Sequence, residues 1–137
     1  MFDLEAANHT NRELELMLSG SKPLAMFYAL TSELPDEELI PENLFSPHVA
    51  NGIIIRREAL ISDLFNQKSN HETTIKYVFF ALKNEDWRIN AMLLSKEQHA
   101  KTNLWNETCE RIECALLGYS DDEIEAWCKQ SFTIQTL

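Results

Sequence analysis

The sequence predicts a single α+β domain over residues 1–137: a small antiparallel sheet with a central hairpin, packed against amphipathic helices. Three observations predict it. Residues 75–82 alternate, with Ile75, Tyr77, Phe79 and Ala81 on one face. Residues 87–94 repeat the pattern, placing Trp87, Ile89, Ala91 and Leu93 on one face and Arg88 and Asn90 on the other. A period of two marks a strand with one buried face. A helix over 96–117 with an apolar stripe follows, long enough to cover that face, so helices are expected mainly on one side of the sheet.

The remaining elements follow in chain order. Thr10 and Glu13 have the spacing of a capping box, in which a hydroxyl and a carboxylate each satisfy the other's exposed amide. Leu14, Met17 and Leu18 continue as a short helical stripe, and Gly20 suits the left-handed position after a helix. Residues 24–30 are apolar throughout, so periodicity does not separate a buried strand from a buried helix. Seven residues favour a strand, while Leu, Ala and Met favour a helix; a strand is expected. Residues 31–47 read as a loop, because Pro35, Pro41 and Pro47 each remove a backbone donor. Its Leu34, Leu39, Ile40, Leu44 and Phe45 imply that it packs down on the core.

Asn51-Gly52 signals a turn, and Ile53, Ile54 and Ile55 a short strand. From Arg56 the period changes: Leu60, Ile61, Leu64 and Phe65 predict a helix to about residue 67. Ser95 and Gln98 have capping-box spacing and open the 96–117 helix, with its stripe of Ala100, Leu104, Thr108, Ile112, Ala115 and Leu116. Gly118 is its expected cap. Ser120 and Glu123 form a third capping box, opening a last helix anchored by Ile124 and Trp127.

Composition excludes several classes. No apolar run approaches the roughly 20 residues that span a bilayer, so no membrane association is expected. The acidic start Met1-Phe2-Asp3 is not a secretory signal, and a cytoplasmic location is expected. The net charge is −10, unevenly spread. Residues 1–50 carry nine acids and two bases, residues 51–101 six acids and eight bases, and residues 102–137 seven acids and two bases. An acidic total argues against direct nucleic-acid binding, which needs clustered Lys and Arg. Arg56, Arg57, Lys76, Lys83 and Arg88 make at most a small positive patch, whose ordinary role is to keep a sheet edge soluble.

Catalytic and metal motifs are absent from the sequence. His9, His48, His71 and His99 lie 23 to 39 residues apart, without a second ligand at metal-site spacing. The three glycines form no phosphate-binding loop, and no cofactor is expected. Cys109, Cys114 and Cys128 do not form a disulfide framework, and a thiol on a helix stripe is usually core.

The acids are the densest signal. Glu33, Asp36, Glu37, Glu38 and Glu42 crowd one loop, and Asp121, Asp122, Glu123 and Glu125 crowd the start of the last helix, with no base in either segment. Their ordinary role is a solvated face; the functional reading is recognition of a basic protein partner. The expectation is a small non-enzymatic interaction protein, such as an immunity or inhibitor protein, with Glu33, Asp36, Glu37, Glu38, Glu42, Asp121 and Asp122 as partner-binding residues. The alternative is a small-molecule binder or enzyme with a pocket between sheet and helices, lined by Trp87, Trp105, Tyr77 and Phe79. One consequence is directly measurable. Thiol titration of the unfolded protein should count three thiols, and metal analysis should find no stoichiometric zinc; a missing thiol pair or bound zinc contradicts this reading.

Overall fold

In a computed structural model, which describes residue 9 and residues 11–63 and 73–133, the apolar run is strand β1 (Leu24–Leu30). Strand β2 (Ile54–Asp63) and strand β3 (Thr73–Leu82) complete an antiparallel sheet in the order β1-β3-β2. In the register, Phe27 faces Val78 on one side of β3, and Glu58 faces Val78 on the other. Five α-helices pack around this sheet among the described residues: α1 (Glu13–Leu18), α2 (Glu42–Ala50), α3 (Trp87–Thr102), α4 (Glu107–Leu116) and α5 (Asp121–Thr133).

The uniform apolarity of β1 now has a cause. Both faces of the sheet are covered, so successive side chains enter different cores. On one face Ala25, Ala29, Ile54, Val78 and Phe80 meet Met17 of α1, Ile40 and Phe45 of α2. Phe45 stacks on Phe80 with ring centroids 4.0 Å apart, and Phe27 meets both rings edge-on. On the other face Leu24, Phe79 and Ala81 meet Ile89 and Met92 of α3 and Leu116 of α4. Each fully buried side chain of this size contributes about 1.5–3 kcal/mol of hydrophobic stabilisation. Helices thus lie on both faces, not mainly on one as the sequence pattern suggested.

The hairpin also differs from expectation. Residues 87–94 are helical and pair with no strand; β3 pairs with β2 and β1. Ile89 and Met92 are buried three residues apart, as one helical face requires, while Trp87 is 53 % exposed. Ala91, Met92, Leu93 and Leu94 are good helix formers, and a short alternation does not outweigh them. Ser95 sits inside α3 and is not its cap. The expected 96–117 helix is two helices, broken where Asn103 takes a left-handed φ of 54°. Asn106 restarts it, its side chain accepting from the Cys109 amide at 3.0 Å. The stripe shifts as well: Ile112 is 52 % exposed, whereas Glu113 and Leu116 are buried.

Two other segments change type. Residues 56–63 belong to β2 rather than to a helix, and residues 64–67 lie outside the described residues. Their period-three recurrence was incidental; ten residues of β2 pair with β3. Part of the expected 31–47 loop is α2, with Pro47 inside it. Glu37 offsets the poor start of that helix: its carboxylate accepts from the amides of Asn43 and Leu44 at 3.0 and 3.1 Å. The Asn51-Gly52 turn is present, with Gly52 at φ 82°. The Ser120–Glu123 capping box forms in both directions, at 3.2 and 2.8 Å. The helix expected from Thr10 begins at Glu13, and Thr10 lies outside the described residues.

Two polar ties hold the layers together. Arg88, at the start of α3, donates to the carbonyls of Ala115 and Leu116 at the end of α4, both at 3.1 Å. That places a cation on the negative end of a helix. Lys22 is buried just before β1, with its ammonium 2.8 Å from Nδ1 of His9 and donating to the Leu117 carbonyl at 2.7 Å. His9 stacks on Tyr119 at 3.7 Å. Burial first, and the Lys22 charge second, lower the His9 pKa from 6.5 to about 4.

Packing and linkage each give an expected outcome. Ile89→Asp and Met92→Asp should each destabilise by several kcal/mol, roughly 3 or more, by burying a carboxylate. Leu94→Asp, at a side chain 61 % exposed, should cost less than about 1 kcal/mol. Urea melts check this, and a tolerated Met92→Asp would contradict the helical face. For His9, the unfolded chain binds a proton between pH 6.5 and about 4 that the folded chain refuses. Its contribution is therefore fully present above pH 6.5 and lost as pH falls toward 4, on the order of 1–3 kcal/mol. Stability measured at steps from pH 7 to 5 should fall less in His9→Gln than in the parent; parallel curves would contradict a neutral buried His9.

Candidate functional site

Most of the acids singled out in the sequence have local tasks. Glu33 accepts from the Leu30 amide at 2.9 Å, and Asp36 from the Glu38 amide at 2.9 Å. Glu37 caps α2. Glu42 takes both arms of Arg56, at 2.8 and 2.5 Å. Asp121 and Asp122 stand exposed in the first turn of α5, where carboxylates favour the positive helix end. Glu125 binds Arg111 through two bonds of 2.9 Å.

Of the positive patch, Arg56, Arg57, Lys76 and Arg88 are likewise engaged. Arg56 and Lys76 share Glu58, at 3.0 and 3.4 Å, and Arg56 holds its proton more firmly for its two carboxylates. Glu58 is correspondingly more acidic than usual, chiefly through its bond from Arg56. Arg57 reaches Asn90 at 2.9 Å and Asp86 at 3.8 Å. These bases fasten β2 to α2 and α3.

The tertiary structure gathers the acids in a way the sequence does not. A groove of about 840 Å³ runs between α1, the 34–41 segment and α2. Glu13 and Glu15 of α1 stand with Glu37 and Glu38 around an apolar floor of Leu14, Phe27, Leu44 and Phe45. Leu44 is 56 % exposed there. No base lines the groove, although Arg12 pairs with Glu15 at 3.1 Å. Asp36, Glu37 and Glu42 line a neighbouring depression of about 500 Å³ together with Lys76. Asp121 and Asp122 belong to the other side of the sheet. The neighbouring Glu123 lines a cavity with Met26 and Tyr28, whereas the groove holds Phe27, which points the opposite way from β1. One flat partner surface therefore does not meet both acidic segments.

That cavity, about 210 Å³, lies between β1 and helices α3, α4 and α5. It is smaller than the roughly 300 Å³ typical of small-molecule sites. Of the expected aromatic lining, Trp105 is present; Trp87 is on the surface and Phe79 is wholly in the core. Tyr77 stands beside it, with the Lys96 ammonium 6.0 Å from its ring centre and 5.3 Å from that of Trp105. Lys96 pairs with buried Glu113 at 2.8 Å, and Ser95 donates to the same carboxylate at 2.6 Å. Glu110 accepts from both indole N–H groups, Trp105 at 3.1 Å and Trp127 at 2.9 Å.

No family model, no curated protein and no solved structure matches this chain. No group of three or more His, Cys, Asp or Glu side chains placed to hold a metal ion occurs among the described residues. No helix among them is long and apolar enough to cross a membrane. All three cysteines are free thiols; Cys128 is buried, and burial pushes its pKa up, so it is a poor nucleophile.

Sequence reasoning missed Glu13 and Glu15 in the groove, and Lys96, Glu110, Glu113 and Trp127 in the cavity. Glu110 and Glu113 did carry a signal. They are three apart on one helical face, beside Trp105, in a segment whose apolar stripe is thin.

Proposed function

We propose that this protein is a small non-enzymatic interaction protein, of the immunity or inhibitor type, that binds a basic segment of a partner protein in the α1–α2 groove. The observation that carries the reading is the convergence of Glu13, Glu15, Glu37 and Glu38 around Leu14, Phe27, Leu44 and Phe45. Carboxylates on the rim steer a cationic partner, and an apolar floor gives its hydrophobic side chains somewhere to bind. An amphipathic basic segment has both features; nucleic acid, whose phosphates the rim repels, does not. The proposed setting is the cytoplasm, where Cys109, Cys114 and Cys128 would stay reduced.

The structure refines which substitutions test this. Asp36 and Glu37 support the loop and the α2 cap, so reversing them confounds binding with stability. Glu38→Lys changes the rim and should cost less than about 1 kcal/mol of stability; Glu13→Lys, combined with it, also removes a carboxylate from the first turn of α1 at a further cost of about 1 kcal/mol. Affinity capture from the native cell, with parent and variant as parallel baits, should yield a cationic partner retained by the parent and lost by the variant. With that partner in hand, the parent's on-rate should fall with added salt, since the Debye length is only about 8–10 Å near physiological strength. At low salt the variant should associate roughly tenfold more slowly, with a flatter salt dependence. If the variant retains the partner with unchanged kinetics, the groove acids serve solubility alone.

A further inference from the structure

We propose that the cavity between β1 and helices α3–α5 is a second site, which binds a small organic cation bearing a methylated ammonium head. The site is independent of the α1–α2 groove, because it lies on the opposite face of the sheet. Three features of its lining point to a cation. Its acids outnumber its bases: Glu110, Glu113 and Glu123 line it with the single ammonium of Lys96. Lys96 is committed to Glu113 at 2.8 Å, and Lys22, 5.1 Å from the ring centre of Tyr119, is committed to the Leu117 carbonyl at 2.7 Å. Among the described residues Glu110 accepts from neutral donors, the two indoles and the more distant Cys114 thiol at 3.8 Å.

The second feature is the wall itself. Tyr28, Trp105, Tyr119 and Trp127 contribute aromatic rings from four separate segments of the chain. Aromatic faces attract cations, most strongly when water is excluded. The protein already uses this attraction within the cavity wall, holding Lys96 against Trp105 at 5.3 Å. The third feature is preorganisation. The indole N–H groups of Trp105 and Trp127 converge on one carboxylate and so fix both rings before any ligand arrives. Sulfur, carboxylate and ring thus meet in about 210 Å³, room for a ligand of choline size but not for a nucleotide or a peptide. A methylated ammonium suits such a site better than a bare one. It presents apolar methyl groups to the rings and leaves fewer unmet N–H donors when water is displaced.

The probe is choline, and the control is its neutral isostere 3,3-dimethylbutan-1-ol. Titration of the whole protein, followed by tryptophan fluorescence and by calorimetry, should show saturable choline binding at about 1 mM or tighter. The isostere should bind at least tenfold more weakly, because it lacks only the charge. Glu110→Gln removes the charge but leaves one acceptor oxygen for two indole N–H groups; it should weaken choline binding about tenfold and also lower the melting temperature. Trp127→Leu should reduce the fluorescence response, leaving that of Trp105, and weaken binding similarly. The comparison of choline with its isostere needs no variant, so the test stands even if a variant folds poorly. Equal affinity for the two probes, no saturable binding, or choline binding unaffected by Glu110→Gln would each overturn the proposal. Reversal of Glu13 and Glu38 in the groove should leave choline binding unchanged, which separates this site from the protein-binding reading.

Discussion

From Val78 to Ala81 strand β3 has no contact with water, and a strand buried on both faces obliges the chain to supply apolar cover above and below. That demand accounts for the layout. β1 is apolar because its two sets of side chains feed two cores, Ala25, Phe27 and Ala29 on one face and Leu24 and Met26 on the other. Short helices α1 and α2 and the residue Ile40 close one core; α3 and α4 close the other. The aromatic group of Phe27, Phe45 and Phe80 gives the first core its rigidity. In the second, Ile89, Met92 and Leu116 provide the seal.

β2 obeys a weaker form of the same constraint. It is an edge strand and carries Arg56, Arg57 and Glu58 in sequence. Charges on an edge discourage pairing with another chain, and here they also have partners. Arg56 reaches Glu42 of α2 on one face, and Arg57 reaches Asn90 of α3 on the other. Arg56 and Arg57, from the mildly basic middle of the chain, thus fasten helices to the sheet. The acidic surplus that remains falls on two faces, one around a groove with an apolar floor and one around an aromatic cavity. Those two concentrations of acid are where binding is proposed.

Legibility followed how local each interaction is. The Ser120–Glu123 box, the Asn51-Gly52 turn and the left-handed Gly20 and Gly118 all depend on neighbours within a few residues, and all were readable. The α2 helix was not, because Glu37 caps it from six and seven residues away and Phe45 holds it through Phe80. The break between α3 and α4 lay in between. Asn103 and Asn106 are suited to a left-handed residue and an N-cap, but the surrounding helical pattern concealed them. At the sites, the acidic loop was visible as composition, yet Glu13 and Glu15 joined it only through folding.

Adjacent residues sufficed for the α+β class, the first strand of the expected hairpin and the capped start of α5, while β1 stayed open between strand and helix with the balance toward a strand. Each rests on a period, a length or a short-range hydrogen bond written in adjacent residues. The tertiary structure alone decided that 87–94 is a helix and 56–63 a strand. Both segments satisfy two periods at once, and only the partner surface breaks the tie: Ile89 and Met92 seal a core from one helical face, and β2 completes the hydrogen bonds of β3. Burial and pairing are properties of the assembled sheet, so no window along the chain contains them.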